Sequence, residues 1–568
     1  MTKIKFIILV MFLHAGLYAQ AISMDKIGEN IETSIPKILK GKNLQIVEDI
    51  YKKTGYKPLW VGKVNKVKTS QLIQALNDPL FNYKNKSFDQ KAIKKLYFML
   101  DNNSITPQKK LLVHARLDLM LTNSMVRLVR FIVEGDVDWN LVQKKLVTLK
   151  ETDDVRADWE MSPKAFPNHD QLINAIVNGN IHSYLNSLIP MEKRYKKLIT
   201  LLKNYRVMDK FPKISYSKSP MALGDWNIRV SEVKKRLQIS GDFPKNAKLS
   251  WKFDKTLENA VKTYQKRYLL EANGKVDNIM ISYLNQPVKK NIQSIITNLD
   301  KTKLYGKSFE PEHIELNIPD FNLRFYRNHQ KIAKMGIVVG RQDRPTPIFS
   351  DKITYMVINP TWTVTDNLIK RDLIPILKEQ PDYLETHNFK VFSGKKEVEV
   401  NYEMLEEYMT SKKRVPYRFV QYPGDSNALG RVKFMFPNKY SVYLHDTDNK
   451  TLLERRYKLY SSGCVRVDRP FDLVDLILQN SRKSYTKEQI QEILDTNKPK
   501  TISLKKAIPI HILYFTVYEE DGLAYFKNDI YSYDKIIEES VPYNKKSTFT
   551  LPKRTMRPVK NNVLIPGE

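Results

Sequence analysis

Cysteine is almost missing from this chain: Cys464 is the only one in 568 residues. A lone thiol excludes an intramolecular disulfide and a multi-cysteine metal site, leaving a reactive thiol or a buried structural one. Acidic residues are also scarce, 62 against 94 Lys and Arg, for a formal charge of +32. Such a balance calls for an anionic partner: nucleic acid, an acidic membrane face or a carboxylate-rich polymer such as a cell wall. Past the first residues, no apolar run is long enough to cross a bilayer. The nine histidines are scattered without an HExxH, and Asp446-x-Asp448 lacks the rest of a calcium loop. GxxxxGK[ST] and GxGxxG are both absent, so no metal and no nucleotide cofactor is expected.

What is present begins with an export signature. Lys3 and Lys5 precede an apolar run over 6–13, and Ala19-Gln20-Ala21 supplies a small-residue exit. This order predicts a cleaved secretory signal over 1–21, and no cysteine near the cut offers a lipid anchor. For an exported basic protein a cell-wall polymer is a better partner than nucleic acid, and no membrane span is expected once the signal is removed.

The length implies three or four folded units. Residues 22–40 read as a polar lead-in. Apolar residues at helical spacing predict a helical scaffold over 35–210, with a helix from Leu44 that stops near Gly55. Its longest helix is expected over 107–134, with Leu112, Ala115, Leu119, Thr122, Val126, Val129 and Val133 as the apolar stripe. Residues 228–287 form a separate three-helix unit, punctuated by Gly241 and Asn273-Gly274. Beyond a linking helix the period changes to two, and 311–535 reads as mostly β. The stretch 367–425 interrupts that pattern and is expected to be an inserted cap. Strands are expected to resume over 430–436 and 440–444, and a β-rich run over 508–518 turns back at Asp521-Gly522. A basic tail, 541–568, ends a multidomain α+β chain.

The chemistry is expected in SVYLHDTDNKTLLERRYKLYSSGCVRV. A thiol with a reference pKa near 8.5 needs a base or a cation to become a nucleophile. His445 lies upstream, where strand, connection and turn can return the chain to the same sheet edge. Gly463 permits a tight turn, so that amides of Gly463 and Cys464 can face an oxyanion. Tyr443, two before His445, shares its face. Arg466, two after the cysteine, either holds a substrate carboxylate or makes a structural ion pair. Ser461 and Ser462 are turn formers or pocket donors, and Asn427 and Lys433 are further pocket candidates. Trp362 is expected in core or cap packing. Asp446 should point away from the thiol, leaving a backbone carbonyl to orient the imidazole.

HDTDNKTLLERRYKLYSSGCVRVDRP resembles the signature of YkuD-type L,D-transpeptidases, with Ser462 where most members carry His. SSGCVRV is similar to the large multidomain, periplasmic subgroup. MVINPTWTV, QYPGDSNALGRVKFMFPNKYSVYLHDT, PIHILYFTVYEEDGLAYFKNDIY and GYKPLWV resemble other parts of it. RLQISGDF…FDKTLENAVKTYQKRYLLEANGKVD…YLN resembles a peptidoglycan-binding module. The resemblance implies a helical scaffold, that module and a mostly-β catalytic domain with a capping insertion. It implies a periplasmic enzyme acting on peptidoglycan stem peptides. Cys464 would be the nucleophile and His445 the base and then the acid. The products would be D-alanine and 3–3 cross-links, or, with water as acceptor, a trimmed stem. A retired, wall-binding protein and a redox-sensing thiol are the alternatives from other classes.

Overall fold

The computed structural model describes residues 23–542, apart from 40, 102–103, 149–156, 209–212, 217 and 269. The expected signal and nearly all of the basic tail lie outside the described residues. The amino-terminal unit is helical and is built around the helix Pro107–Val133, which Thr106 caps. Its stripe is buried from Ala115 onward, whereas Leu112 is half exposed because neighbouring helices cover only the later turns. The lead-in is itself a helix, Met24–Ile38, with Ile27, Ile31 and Ile35 buried against this unit. That four-residue spacing makes one apolar face, and packing overrides the polar composition.

Asp118, on the long helix, organises the unit. Fully buried, it accepts from the Tyr51 hydroxyl at 2.6 Å and from the amides of Leu59, Trp60 and Val61 at 2.9, 2.7 and 3.0 Å. Those amides belong to the GYKPLWV turn, and the Trp60 indole donates to Thr122 at 2.8 Å.

The helices Ile228–Ser240, Lys255–Arg267 and Asn278–Leu284 form the small unit around Val230, Leu237, Leu257 and Val261. A linking helix, Val288–Thr302, then docks on the β-rich unit. Buried Lys301 donates to the Tyr514 carbonyl and Asp534, and Arg194 of the helical unit meets Glu315 at 2.6 Å.

The β-rich unit starts with β1 (His313–Asn317), β2 (Asn322–Arg327), β3 (Gln330–Gly340) and β4 (Ser350–Ile358). A small four-stranded sheet and short helices intervene: β5 (Trp362–Thr363), β6 (Phe389–Ser393), β7 (Lys396–Glu397) and β8 (Arg418–Gln421). The main sheet resumes with β9 (Val432–Met435), β10 (Leu444–His445), β11 (Leu459–Ser461), β12 (Val465–Val467) and β13 (Lys500–Leu513). Its pairings run β12–β3–β2–β1–β13–β4–β9–β10 and return to β12, closing a ring. Ile314, Leu323, Ile337, Phe434, Leu444 and Val465 are in its core.

Two strand expectations change. The 440–444 strand shrinks to Leu444–His445, because the Asn438 side chain caps a turn through the amides of Tyr440 and Val442. The run 508–518 breaks after Leu513. There Asn317 takes the amide of Phe515, and Asn298 takes those of Thr516 and Val517. β14 (Val517–Glu520) and β15 (Leu523–Phe526) form the hairpin through Asp521 and Gly522, both at positive φ.

Asp118→Ala leaves three turn amides and a tyrosine hydroxyl without their acceptor. It is expected to destabilise the helical unit by about 3 kcal/mol, read as a lower urea midpoint in far-ultraviolet circular dichroism.

Candidate active site

Three short strands set the site. β10 lies between β9 and β12, with Leu444 opposite Phe434 and Val465, and His445 opposite Lys433 and Arg466. Alternation sends Leu444, Val465 and Phe434 to the core and makes Lys433, His445 and Arg466 a row on the other face. Cys464 precedes Val465, whose amide donates to the Tyr443 carbonyl at 3.1 Å. Tyr443 and Cys464 therefore stand one step along from the row. The Tyr443 and His445 rings meet edge-on, with centroids 5.7 Å apart.

His445 is buried, and its Nδ1 bonds the Asp446 carbonyl at 2.5 Å. That contact puts the proton of the neutral ring on Nδ1 and the lone pair on Nε2. Burial, then the charges of Arg466, Lys433 and Lys450, push the His445 pKa down to about 3 against the upward pull of the Asp446 carbonyl. The Asp446 carboxylate takes no part in orienting the ring: it accepts from the Arg431 amide at 2.9 Å and pairs with Lys450. Gly430, at φ 58°, makes room for it, since a Cβ there would lie 2.4 Å from the Asp446 carboxyl carbon.

Cys464 is half-buried. Burial raises its pKa above the ordinary thiol value, while hydrogen bonds from Tyr443 and the charges of Arg466 and Lys433 pull it back. The thiol points at the Ser441 carbonyl, 3.9 Å from Sγ, and no hydrogen bond joins it to the imidazole among the described residues. Gly463 has φ 119°, a region that favours glycine, and its amide donates to Ser461 Oγ at 3.2 Å. The Ser461 hydroxyl donates in turn to the Cys464 carbonyl at 2.5 Å. The Cys464 amide has no acceptor among the described residues.

Arg466 is fully buried, and none of its three guanidinium nitrogens has a hydrogen-bond partner among the described residues. The ion pair left open in the sequence is not formed among the described residues. Burial lowers its pKa to about 10, against the attraction of Asp448 and Cys464.

Ser462 is held from outside the segment. Its hydroxyl accepts from Arg344 Nη1 at 2.8 Å, and the same guanidinium grips buried Asp372 at 2.5 and 2.9 Å. Asp372 belongs to the insert between β5 and β6, so this bridge ties the insert to the nucleophile turn. Thr346 Oγ1 donates to the Gly463 carbonyl at 2.9 Å and accepts from the Gly340 amide at 2.9 Å. Sequence reasoning missed Arg344, Thr346 and Asp372. RQDRPT carries no motif, and only its position after a strand-ending glycine hinted at a functional loop.

The remaining candidates divide. Lys433 stands in the row and donates to the Thr361 carbonyl at 3.1 Å. Asn427 spends its amide on the carbonyls of Pro360 and Tyr422, bracing a loop. Trp362 is buried in the core of the insert, against which Tyr443 packs.

The model of the L,D-transpeptidase catalytic domain, the YkuD family, matches residues 311–500. A scaffold domain matches 45–202, and a domain described as "Putative peptidoglycan binding domain" matches 228–283. Over residues 311–500 the chain is similar to YkuD-type L,D-transpeptidase catalytic domains. A curated relative from Haemophilus influenzae, named "Putative L,D-transpeptidase", is 32% identical over 228 residues. That match covers 39% of this chain and 45% of the relative, so the chain spans less than half the length of the relative. Among solved structures, the L,D-transpeptidase from Xylanimonas cellulosilytica (residues 123–326) is 10% identical, with a TM-score of 0.18 over 53% of this chain and 100% of that one. The L,D-transpeptidase from Stackebrandtia nassauensis is 12% identical, with a TM-score of 0.19 over 55% and 99%. No helix among the described residues is long and apolar enough to cross a membrane.

The buried, neutral His445 makes stability sensitive to acid. Its folded pKa, about 3, lies below the ordinary histidine value, so the unfolded chain binds the extra proton first. The His445 contribution is complete above about pH 6.5 and is lost as pH falls toward about 3. His445→Gln is expected to flatten that part of the plot of melting temperature against pH.

Proposed function

We propose that this protein is a periplasmic L,D-transpeptidase acting on peptidoglycan stem peptides, with Cys464 as nucleophile and His445 as general base, then acid. The observation that carries the reading is the unpaired, fully buried Arg466 guanidinium beside His445 and Cys464. A desolvated cation of this kind is costly unless an anion meets it, and a stem peptide brings carboxylates. The charge of +32 and the peptidoglycan-binding match favour the same polymer.

In the resting site, thiol and imidazole are both neutral. A substrate carboxylate on Arg466 cancels one of the charges that depress the His445 pKa, so binding strengthens the base where it is needed. Sγ then turns from Ser441 toward His445 Nε2, gives up its proton and attacks the amide carbonyl before the terminal D-alanine. The Cys464 amide meets the oxyanion, with the Gly463 amide available once it leaves Ser461 Oγ. Lys433 and the Tyr443 hydroxyl favour the thiolate form of the sulfur. The imidazolium protonates departing D-alanine and leaves a thioester. An amine of a second stem resolves it as a 3–3 cross-link; water in that role gives a trimmed stem instead.

The test is incubation of the full chain with disaccharide-tetrapeptide, followed by mass spectrometry. The expected products are an acyl-enzyme on Cys464 and a dimer lacking one D-alanine. Cys464→Ala is expected to give neither, and product equal to wild type from that variant overturns the proposal. Arg466→Met is expected to slow acylation at least tenfold, ~1.4 kcal/mol, with the protein still folded.

A further inference from the structure

One segment, 340–346, holds three successive residues of the nucleophile turn. The Arg341 amide donates to the Ser461 carbonyl at 2.9 Å. Arg344 Nη1 donates to Ser462 Oγ at 2.8 Å, and Thr346 Oγ1 to the Gly463 carbonyl at 2.9 Å. The segment is itself tightly folded. The Arg344 amide donates back to the Arg341 carbonyl at 3.0 Å, and a Cβ on Gly340 would lie 2.1 Å from the Arg344 carbonyl oxygen. The Tyr531 hydroxyl fastens its start, donating to the Gly340 carbonyl at 2.6 Å. A firm template therefore lies against a turn whose joint, Gly463, is pliable.

The three holds depend on different parts of the protein. Those on Ser461 and Gly463 come from a backbone amide and a threonine of the template, and neither needs the insert. The hold on Ser462 comes from a guanidinium whose other contact is the insert: Arg344 Nη1 and Nη2 meet the two carboxylate oxygens of Asp372 at 2.5 and 2.9 Å. The two side chains are 9% and 2% exposed, so water competes little for this pair. Arg344 Nε has no hydrogen-bond partner among the described residues, which leaves Asp372 and Ser462 to fix the fork. Asp372 lies in a π turn, Ile369–Leu373, between the short helical pieces Asp366–Leu368 and Ile374–Glu379. Pro375 has no amide to give to a regular turn there, and wide turns of this kind recur at functional sites.

Acylation asks the turn to move, because the Gly463 amide must leave Ser461 Oγ to reach the oxyanion. Resting on the transpeptidase reading above, we propose that Arg344 is a positioning residue for acylation: it fixes Ser462 as the stationary end of the turn, and does so only while Asp372 of the seated insert holds it. Movement is then confined to Gly463, and its amide and that of Cys464 reach the substrate carbonyl together. Without the bridge the movement spreads to Ser462 and the two amides no longer converge. The sulfur itself answers to other charges, those of Arg466 and Lys433. The bridge therefore governs acyl transfer and spares the reactivity of the thiol.

The experiment compares the full-length wild type with Ser462→Ala, with the double variant Arg344→Gln, Asp372→Asn, and with all three changes together. The double variant removes both charges, so no unpaired ion is left buried. Acylation of Cys464 by disaccharide-tetrapeptide is followed by mass spectrometry over a range of substrate concentrations. Alkylation of Cys464 by chloroacetamide, a small neutral reagent that needs no oxyanion site, is followed in parallel. The expected result for Ser462→Ala and for the double variant is a maximal acylation rate at least about tenfold lower, with KM and the alkylation rate within about twofold of wild type. The triple variant is expected to lose nothing further, because both changes break the same link. Wild-type acylation in either variant overturns the proposal. Alkylation that falls together with acylation, or losses that multiply in the triple variant, assigns these residues a general structural role and overturns it as well. Should the double variant fail to fold, Ser462→Ala, which leaves the buried pair whole, decides the matter by the same criteria. A wild-type protein that is alkylated normally but forms no thioester removes the transpeptidase reading itself, and this role with it.

Discussion

The parallel pairing of Leu444–His445 with Val465–Val467 is the contact on which the site depends. It is a minimal piece of sheet, yet it decides which side chains share a face. With Leu444 opposite Val465, the apolar residues point into the ring and His445 and Arg466 stand side by side outside it. A slip of one residue would turn the histidine into the core and expose a leucine. So short a pair holds its register because β9 flanks β10 and β3 flanks β12 within a closed circuit of pairings, so neither edge is free to slide.

Around that contact the protein concentrates positive charge. Lys433 and Arg466 flank the imidazole, Arg344 holds the turn, and the Asp446 carboxylate is drawn off to Arg431 and Lys450. Burying an unpaired guanidinium costs several kcal/mol in the resting protein. The cost falls beside the imidazole and the thiol, as expected where binding rather than stability has been favoured. The Arg344–Asp372 bridge gives the insert a direct hold on the serine that precedes Gly463, so the covering unit and the nucleophile turn are mechanically one piece.

Much of this was legible where the signal was local. Period-two spacing placed Tyr443 with His445, and Cys464 with Arg466, on shared faces; Gly463 marked the tight turn. The start of the long helix at Pro107 and the end of another at Gly241 were legible as well. The illegible parts are contacts between distant segments. Arg344 meets Ser462 across 118 residues and Thr346 meets Gly463 across 117, and neither end carries a mark of the other. The segment 157–161 was equally silent, because its pairing is defined by Ile348 and not by its own pattern. The first helix was hidden for another reason. Its polar composition outweighed a three-isoleucine stripe that only packing against the long helix makes decisive.

Trp159 of the helical unit pairs with Ile348 as a strand added to the β-rich unit, and this bears on how such proteins are assembled. The Trp159 ring lies 6.3 Å from that of Tyr514 and 5.8 Å from that of Tyr533, within a buried aromatic layer. The β-rich unit thus borrows part of its own interior from a chain segment some 150 positions earlier than its first strand. Cut free at its apparent boundary, it would carry an open aromatic seam. The helical unit is therefore a structural donor to its neighbour, and the two would be exchanged between proteins only as a matched pair.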